Sequence, residues 1–254
     1  MRKREVHRGL YSILGGLILW EALTRLLLEN ELLIPPPSSV IRSLWRMSLS
    51  GDLNRHLLAT LFEFASGFST ACIVGIVLGY LMGRYRWFDE LMDPWIATLY
   101  SIPVIAFVPL IIIWFGIELT PKIIIVLLTA VIDIIINTYT GVINVGQEFR
   151  MLGMAFCVPK RQIWFKILLP GSLPYIVTGL RLATSRAIVG VVVAEYFGSS
   201  EGLGWLLFKA MDTYNMPLMI SCATLLAGTG IVLNQGILAV EKIMAPWRDT
   251  KLQE

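Results

Sequence analysis

The chain has 254 residues, of which 56% are hydrophobic and 15% charged, with a formal net charge of +3 at pH 7. Soluble domains carry about 25% charged and about 45–50% apolar residues, so a water-soluble globule of this size would have to coat its surface with the apolar excess. Lipid in place of water removes that difficulty, intrinsic disorder is excluded, and so small a net charge gives no basis for a nucleic-acid partner.

Apolar runs of spanning length lie near residues 9–28, 59–83, 92–116, 123–146, 173–196 and 218–241, and a helix needs about 20 residues to cross the hydrocarbon. The expected fold class is an all-α integral membrane protein with six transmembrane helices, a single transmembrane domain over residues 1–254. The first run carries Glu21 and Arg25, four apart and read as a local helix pair. It has no small-residue cleavage site behind it, so it reads as an uncleaved span rather than a signal peptide. A polar, Pro-rich connection (ENELLIPPPSSV) follows, and then IRSLWRMSL, a candidate interfacial helix.

In the second run, Gly67, Ala71, Gly75, Gly79 and Gly83 recur every four residues along one helix face. Small residues at that spacing let helix backbones approach closely where lipid offers no hydrophobic drive. The third run is broken by Pro94, Pro103 and Pro109. Kinked or unwound helix is expected there, tolerated where neighbouring helices or a cavity satisfy the freed carbonyls. Asp133 in the fourth run and Arg186 in the fifth each stand about 13 residues, or about 20 Å, from the same end of their helices. Antiparallel neighbours bring them to one depth. Intramembrane charges pair with one another or line a path, and both readings stand for these two residues.

Basic residues favour the cytoplasmic side. With the N-terminus inside, the inner segments hold Arg2, Lys3, Arg4 and Arg8, then Arg84 and Arg86, then Arg150, Lys160, Arg161 and Lys166, then Lys242, Arg248 and Lys251. The outer segments hold Arg42, Arg46, Arg55, Lys122 and Lys209. Thirteen against five places both termini in the cytoplasm, in a multi-pass protein of the cytoplasmic (inner) membrane.

Chemistry-bearing patterns are scarce. Cys72, Cys157 and Cys222 are odd in number and widely spaced, indicating neither a disulfide frame nor a cysteine metal site. His7 and His56 lie outside the apolar runs and are expected to be solvated or interfacial. No phosphate-binding G-x-x-x-x-G-K-[ST] loop, H-E-x-x-H or G-x-S-x-G pattern occurs. No catalytic residue, metal site or cofactor of this chain is expected.

The segment between the fourth and fifth runs, QEFRMLGMAFCVPKRQIWFKILLPGSLP, is the most patterned piece outside the spans. Pro159 suits the first position of a short helix, where its missing N–H costs nothing. The next turns set Ile163 and Ile167 on one face with Trp164 nearby, and Lys160, Arg161 and Lys166 elsewhere. A short amphipathic helix of this kind either lies in the headgroups or docks into a soluble partner, and the residues by themselves leave both open.

This loop resembles the cytoplasmic signature of the permease subunits of bacterial ABC importers, which runs Glu-Ala-Ala, three residues, Gly, nine residues, Ile, one residue, Leu-Pro. With Leu169 and Pro170 as anchor, Ile167 takes the Ile position, Cys157 the Gly position, and Met151, Leu152 and Gly153 the Glu-Ala-Ala positions. The signature's Glu and later Gly are absent here. LLIPPPSSVIRSLW, PWIATLYSIPVIAFVPLIIIWFGI, NTYTGV, GLRLATSRAIVGVVVAE and GSSEGLGWLL are similar, in that order, to the nitrate, sulfonate and taurine branch, over about residues 33–240.

The resemblance implies the type I importer permease fold and a cytoplasmic coupling loop at 147–172 that sits in a groove of a cytoplasmic ATP-binding cassette subunit. ATP and magnesium would then be bound by that subunit and not by this chain. It further implies a second permease copy (a homodimer), an extracytoplasmic solute-binding protein, and a pathway between the two copies. Pro103, Pro109, Asp133 and Arg186 are the candidate path residues, and a buried cation suits a small anion. The rival reading is a gradient-driven secondary transporter or channel, which would call for inverted repeats and several intramembrane acids.

Overall fold

The structure, a computed structural model, describes residues 2–27, 34–156 and 158–244, and for 146–155 the backbone alone. Among the described residues it is helical without strands. The helices are α1 (Arg2–Leu27), α2 (Pro37–Ser50), α3 (Asp52–Arg84), α4 (Arg86–Ser101), α5 (Val108–Phe115), α6 (Leu119–Ala155), α7 (Lys160–Gln162), α8 (Leu169–Gly198), α9 (Leu203–Asp212) and α10 (Met216–Met244). Four helical stretches, Asp52–Arg84, Leu119–Val145, Lys166–Gly198 and Met216–Ile243, are long and apolar enough to cross a membrane. A fifth is reached if α4 and the helical stretch from Val104 to Phe115 form one broken span. The expected first span overlaps α1, a helix of 26 residues that is not among these stretches, so four or five spans rather than the expected six meet that measure among the described residues.

The chain divides into two compact units, residues up to Thr60 with Ser200–Ala227, and Leu61–Ser199 with residues from Gly228 onward. In the first, Glu21 does more than pair with Arg25 at 2.6 Å. Its carboxylate also accepts the backbone N–H of Ser38 at 3.0 Å and the Ser38 hydroxyl at 2.8 Å. A carboxylate at the second residue of α2 satisfies an otherwise unpaired donor and complements the helix dipole. Along α2, Ile41, Trp45 and Leu49 are exposed in one stripe while Val40 and Met47 are buried. This two-faced pattern is that of a helix lying in the membrane interface.

Also in this unit, His56 is buried rather than solvated. Its Nδ1 accepts the N–H of Gly202 at 3.0 Å, and its ring stacks on Trp205. Thr60 Oγ1 accepts the N–H of Leu203 at 2.8 Å, and Arg55 pairs with Glu201. Gly202 holds φ +115, a region that favours glycine. Three side chains of α3 thus fix the turn that starts α9, and burial of His56 follows from its use as an acceptor.

The second unit is built on α6, packed between α3 and α8. Its core joins Phe64, Ala71 and Met82 to Val126, Ala130, Ile134 and Ile135 and to Ala183, Ala187 and Val191. A Cβ on Gly67 would stand 2.5 Å from Val126 Cβ, on Gly75 2.7 Å from Ile134 Cβ, on Gly79 2.5 Å from the Ile135 carbonyl oxygen and on Gly83 2.6 Å from Val142 Cγ1. These positions are where α3 and α6 touch, and Ala71 among them is fully buried. The other side of α6 meets α8 through a second glycine set that sequence reading did not find. Added Cβ atoms on Gly141, Gly179 and Gly190 would strike Tyr175, Asn137 and Thr129.

The 37 residues of α6 span about 55 Å, well beyond the hydrocarbon thickness of about 30 Å. The helix therefore outlasts its apolar stretch and carries on to Ala155. The loop expected over 147–172 is helical through its first third. After Pro121 in its first turn no proline interrupts the helix before Pro159, and an α-helix satisfies its own backbone groups in water as in lipid, so nothing ends α6 at the membrane boundary.

Candidate functional site at the broken span

Proline chemistry creates the site. Pro103 has no N–H to offer an α-turn, and the residue before a proline is driven to extended backbone. Ile102 accordingly takes φ −82, ψ 128 and ends α4. A short 3-10 turn, Val104–Phe107, leads into α5, where Pro109 occupies the first turn, a position in which its missing donor costs nothing. The helical directions before and after the break differ by 83°. Pro94 remains inside α4.

The bend opens a cleft of about 500 Å³ lined by the break (Tyr100 to Ile105), by Leu128, Thr129 and Ile132 of α6, and by Ser185, Arg186 and Val189 of α8. Pro103 and Arg186 both line it; Pro109 does not, being directed into the start of α5. Behind the wall stands Asp133, only 7% exposed. Arg186 Nε lies 2.8 Å from Asp133 Oδ2. That oxygen is nonetheless without a hydrogen bond, so the contact is an ion pair by distance, with the N–H directed off the oxygen. The Arg186 guanidinium also lies 5.4 Å from the Tyr100 ring centroid, within cation–π range. About half of its side chain remains exposed to the cleft.

The arrangement can hold a polar solute against a fixed cation at mid-span, within walls that are otherwise largely apolar. The Asp133 carboxylate keeps Arg186 oriented and offsets its charge, since an unpaired charge at such depth costs several kcal/mol or more. The expected ion pair is therefore present, and its arginine also lines the cleft.

Lys122 has partners that sequence reading did not find. Counted as a charge of an outer loop, it is buried and bonds Glu63 Oε1 at 2.5 Å and Ser199 Oγ at 2.9 Å. Glu63 and Lys122 are far apart in sequence, and no local spacing announces them.

The second functional region is the segment after α6. Pro159 precedes α7 rather than beginning it; its carbonyl accepts the N–H groups of Gln162 and Ile163. From Ile163 to Leu168 the helix is of the π type, and Leu169 N–H reaches back five residues to the Trp164 carbonyl. Ile163 is 5% exposed and Leu168 fully buried, Ile167 is half-buried, and Arg161 and Lys166 are exposed. Leu169 and Pro170 open α8. Met151, Leu152 and Gly153 belong to the last turns of α6, with their side chains outside the described residues, as is Cys157 altogether.

Sequence reading missed what holds this segment. The Tyr80 hydroxyl donates to the Trp164 carbonyl at 3.2 Å, the two rings meet edge to face, and the Arg84 guanidinium lies 5.5 Å from the Trp164 ring centroid. Tyr80 and Arg84, one turn apart at the end of α3, offered only that i, i+4 spacing as a signal. Among the described residues, no group of three or more His, Cys, Asp or Glu side chains is placed to hold a metal ion.

Comparison with known proteins places this geometry. The chain is 30% identical to the formylaminopyrimidine transport permease protein ThiX of Halalkalibacterium halodurans, covering 91% of this chain and 92% of that one. It is 30% identical to the bicarbonate transport system permease protein CmpB of a Synechocystis species, over 96% and 91%. It is 28% identical to the putative aliphatic sulfonates transport permease protein SsuC of Escherichia coli, over 92% and 89%. Among solved structures, a chain of the MetNI methionine ABC transporter in inward-facing form shares the fold, with a TM-score of 0.58 at 19% identity over 75% of this chain and 96% of that one. The family described as binding-protein-dependent transport system inner membrane component matches residues 73–248, and the chain is a member of that family of ABC transporter permeases.

Proposed function

We propose that the chain is the membrane-spanning subunit of an ATP-driven importer and carries a small anionic solute into the cell through the cleft at the broken span. The observation that carries this reading is the half-exposed Arg186, held by buried Asp133 and Tyr100 inside a cleft of about 500 Å³. Two copies would form the pathway, with six spans each and both termini in the cytoplasm. Solute would be delivered by an extracytoplasmic binding protein. The segment 151–170 would dock into a separate ATPase subunit that binds ATP and magnesium. The contact of Tyr80 and Arg84 with Trp164 supports transmission, because it ties that segment to α3 and so to the α6 core.

Thiol labelling in membranes tests the path. With Cys72, Cys157 and Cys222 replaced by serine, a cysteine placed at Ser101 or Ser185 should react with a membrane-impermeant, water-soluble reagent. One placed at Ile73, which is 67% exposed on the opposite side of α3 from Gly75, should not. Equal reactivity at all three positions, or none at Ser101 and Ser185, would refute a water-filled path there.

A further inference from the structure

A second cleft of about 480 Å³ lies in the same unit, between α8 and α10. It is lined by Thr178, Arg181 and Ser185 of α8 and by Asn234 and Gln235 of α10, with a few aliphatic side chains around them. Arg181 stands near the middle of the span Lys166–Gly198 and the two amides lie inside the span Met216–Ile243. Arg181 is exposed and forms no ion pair among the described residues, in contrast to Arg186. The two arginines are five residues apart, about 140° around the helix, so they serve different clefts, and Ser185 borders both.

An arginine at that depth does not face lipid at tolerable cost. The lining of this cleft is rich in donors and lacks a carboxylate. A guanidinium carries five N–H groups and no acceptor, and each carboxamide adds two more. Thr178 has its hydroxyl proton committed to the Pro174 carbonyl. A set of donors around one uncompensated cation complements a ligand that brings several acceptor oxygens and a negative charge. Arg186, by contrast, already has its charge offset by Asp133.

We propose that Arg181, supported by Asn234 and Gln235, is the specificity-determining cation of the translocation path and selects oxyanions such as a sulfonate, nitrate or bicarbonate over neutral solutes. This deepens and rests on the permease reading above. A planar guanidinium fork matches two oxygens of such an anion at once. The two arginines thereby divide the labour along one path, with Arg186, its charge partly offset by Asp133, facing the solute in the first cleft and Arg181 selecting for its charge in the second, Ser185 bordering both.

The test uses the full chain reconstituted in liposomes with its ATPase and solute-binding protein partners. Uptake of ethanesulfonate, nitrate, bicarbonate and a neutral aminopyrimidine is measured with and without ATP. Wild type should take up at least one of the three anions in an ATP-dependent way. R181Q should lower that uptake about tenfold, the value of one hydrogen bond to a charged group, with R181K falling between wild type and R181Q because lysine keeps the charge and loses the fork. Should R181Q fail to assemble as judged by size-exclusion chromatography, N234L/Q235L replaces it and should lower anion uptake more than threefold. Uptake within threefold of wild type in R181Q, or in N234L/Q235L where that pair replaces it, overturns the proposal, as does wild-type uptake of the aminopyrimidine with no anion transported. ATP-independent uptake by wild type overturns the permease reading itself, a result separate from either of these.

Discussion

Alanine at Gly79 and alanine at Gly16 are chemically the same change and should have opposite effects. At Gly79 the new Cβ would stand 2.5 Å from the Ile135 carbonyl oxygen and 2.8 Å from Thr138 Cβ. Ordinary contact begins near 3.4 Å, so the methyl group is about 0.9 Å too close to backbone that cannot rotate out of the way. Overpacking of this kind costs about 1–3 kcal/mol. Gly16, in α1, has nothing within 4 Å of its Cβ. Both positions gain about 0.8–1.0 kcal/mol of helix propensity, which cancels when the two variants are compared. The remaining difference, about 1–3 kcal/mol, corresponds to roughly 2–12 °C at about 2–4 °C per kcal/mol for a chain of this length. Thermal unfolding in detergent, followed by circular dichroism, reads it directly. Equal melting temperatures for G79A and G16A would refute the close approach of α3 to α6.

Other expectations follow from the buried charges and the coupling segment. Asp133 is buried and Arg186 half-exposed, so their coupling should fall between the value for surface pairs, about 0–1 kcal/mol, and that for breaking buried ones, about 3–5 kcal/mol. A double-mutant cycle with D133N and R186Q should return about 1–2 kcal/mol, whereas strictly additive losses in stability would contradict the pair. K122M leaves Glu63, 7% exposed, without its cation and should cost about 3–5 kcal/mol; K122M/E63L should recover most of it, and a melting temperature of K122M equal to wild type would refute the burial. Y80F removes only the hydroxyl that holds the Trp164 carbonyl, about 1 kcal/mol. It should leave melting nearly unchanged while lowering solute moved per ATP hydrolysed, and an unchanged ratio would separate Tyr80 from coupling.

The legible parts of the fold are those whose cause is local. Pro103 breaks its span because a proline lacks a donor and constrains its predecessor, and both facts are visible in the letters. The glycine repeat of α3 is visible because one helix face repeats every four residues. The second glycine set is not, because Gly141, Gly179 and Gly190 sit on two helices at irregular spacing and mean nothing until α6 and α8 are brought together. Asp133 and Arg186 were matched by depth, since consecutive antiparallel spans share one ruler. The pairing of Lys122 was missed for want of that ruler, as its partner Glu63 lies on a helix whose register against α6 no periodicity reveals. The extension of α6 to Ala155 was hidden for a different reason, because apolar content marks where lipid ends and not where a helix ends. Arg181 differs from Arg186 in having no carboxylate partner among the described residues, and a contrast of that kind is legible only in three dimensions.

Uptake into proteoliposomes bears most directly on how the cleft is driven. Liposomes carrying this chain alone, and liposomes carrying it with its ATPase and binding protein, are loaded with or without ATP and exposed to the solute with or without an ion gradient. Accumulation only with ATP, the ATPase and the binding protein together, and indifferent to the gradient, is the result expected of an ABC permease. Accumulation by the chain alone that follows the ion gradient would contradict it.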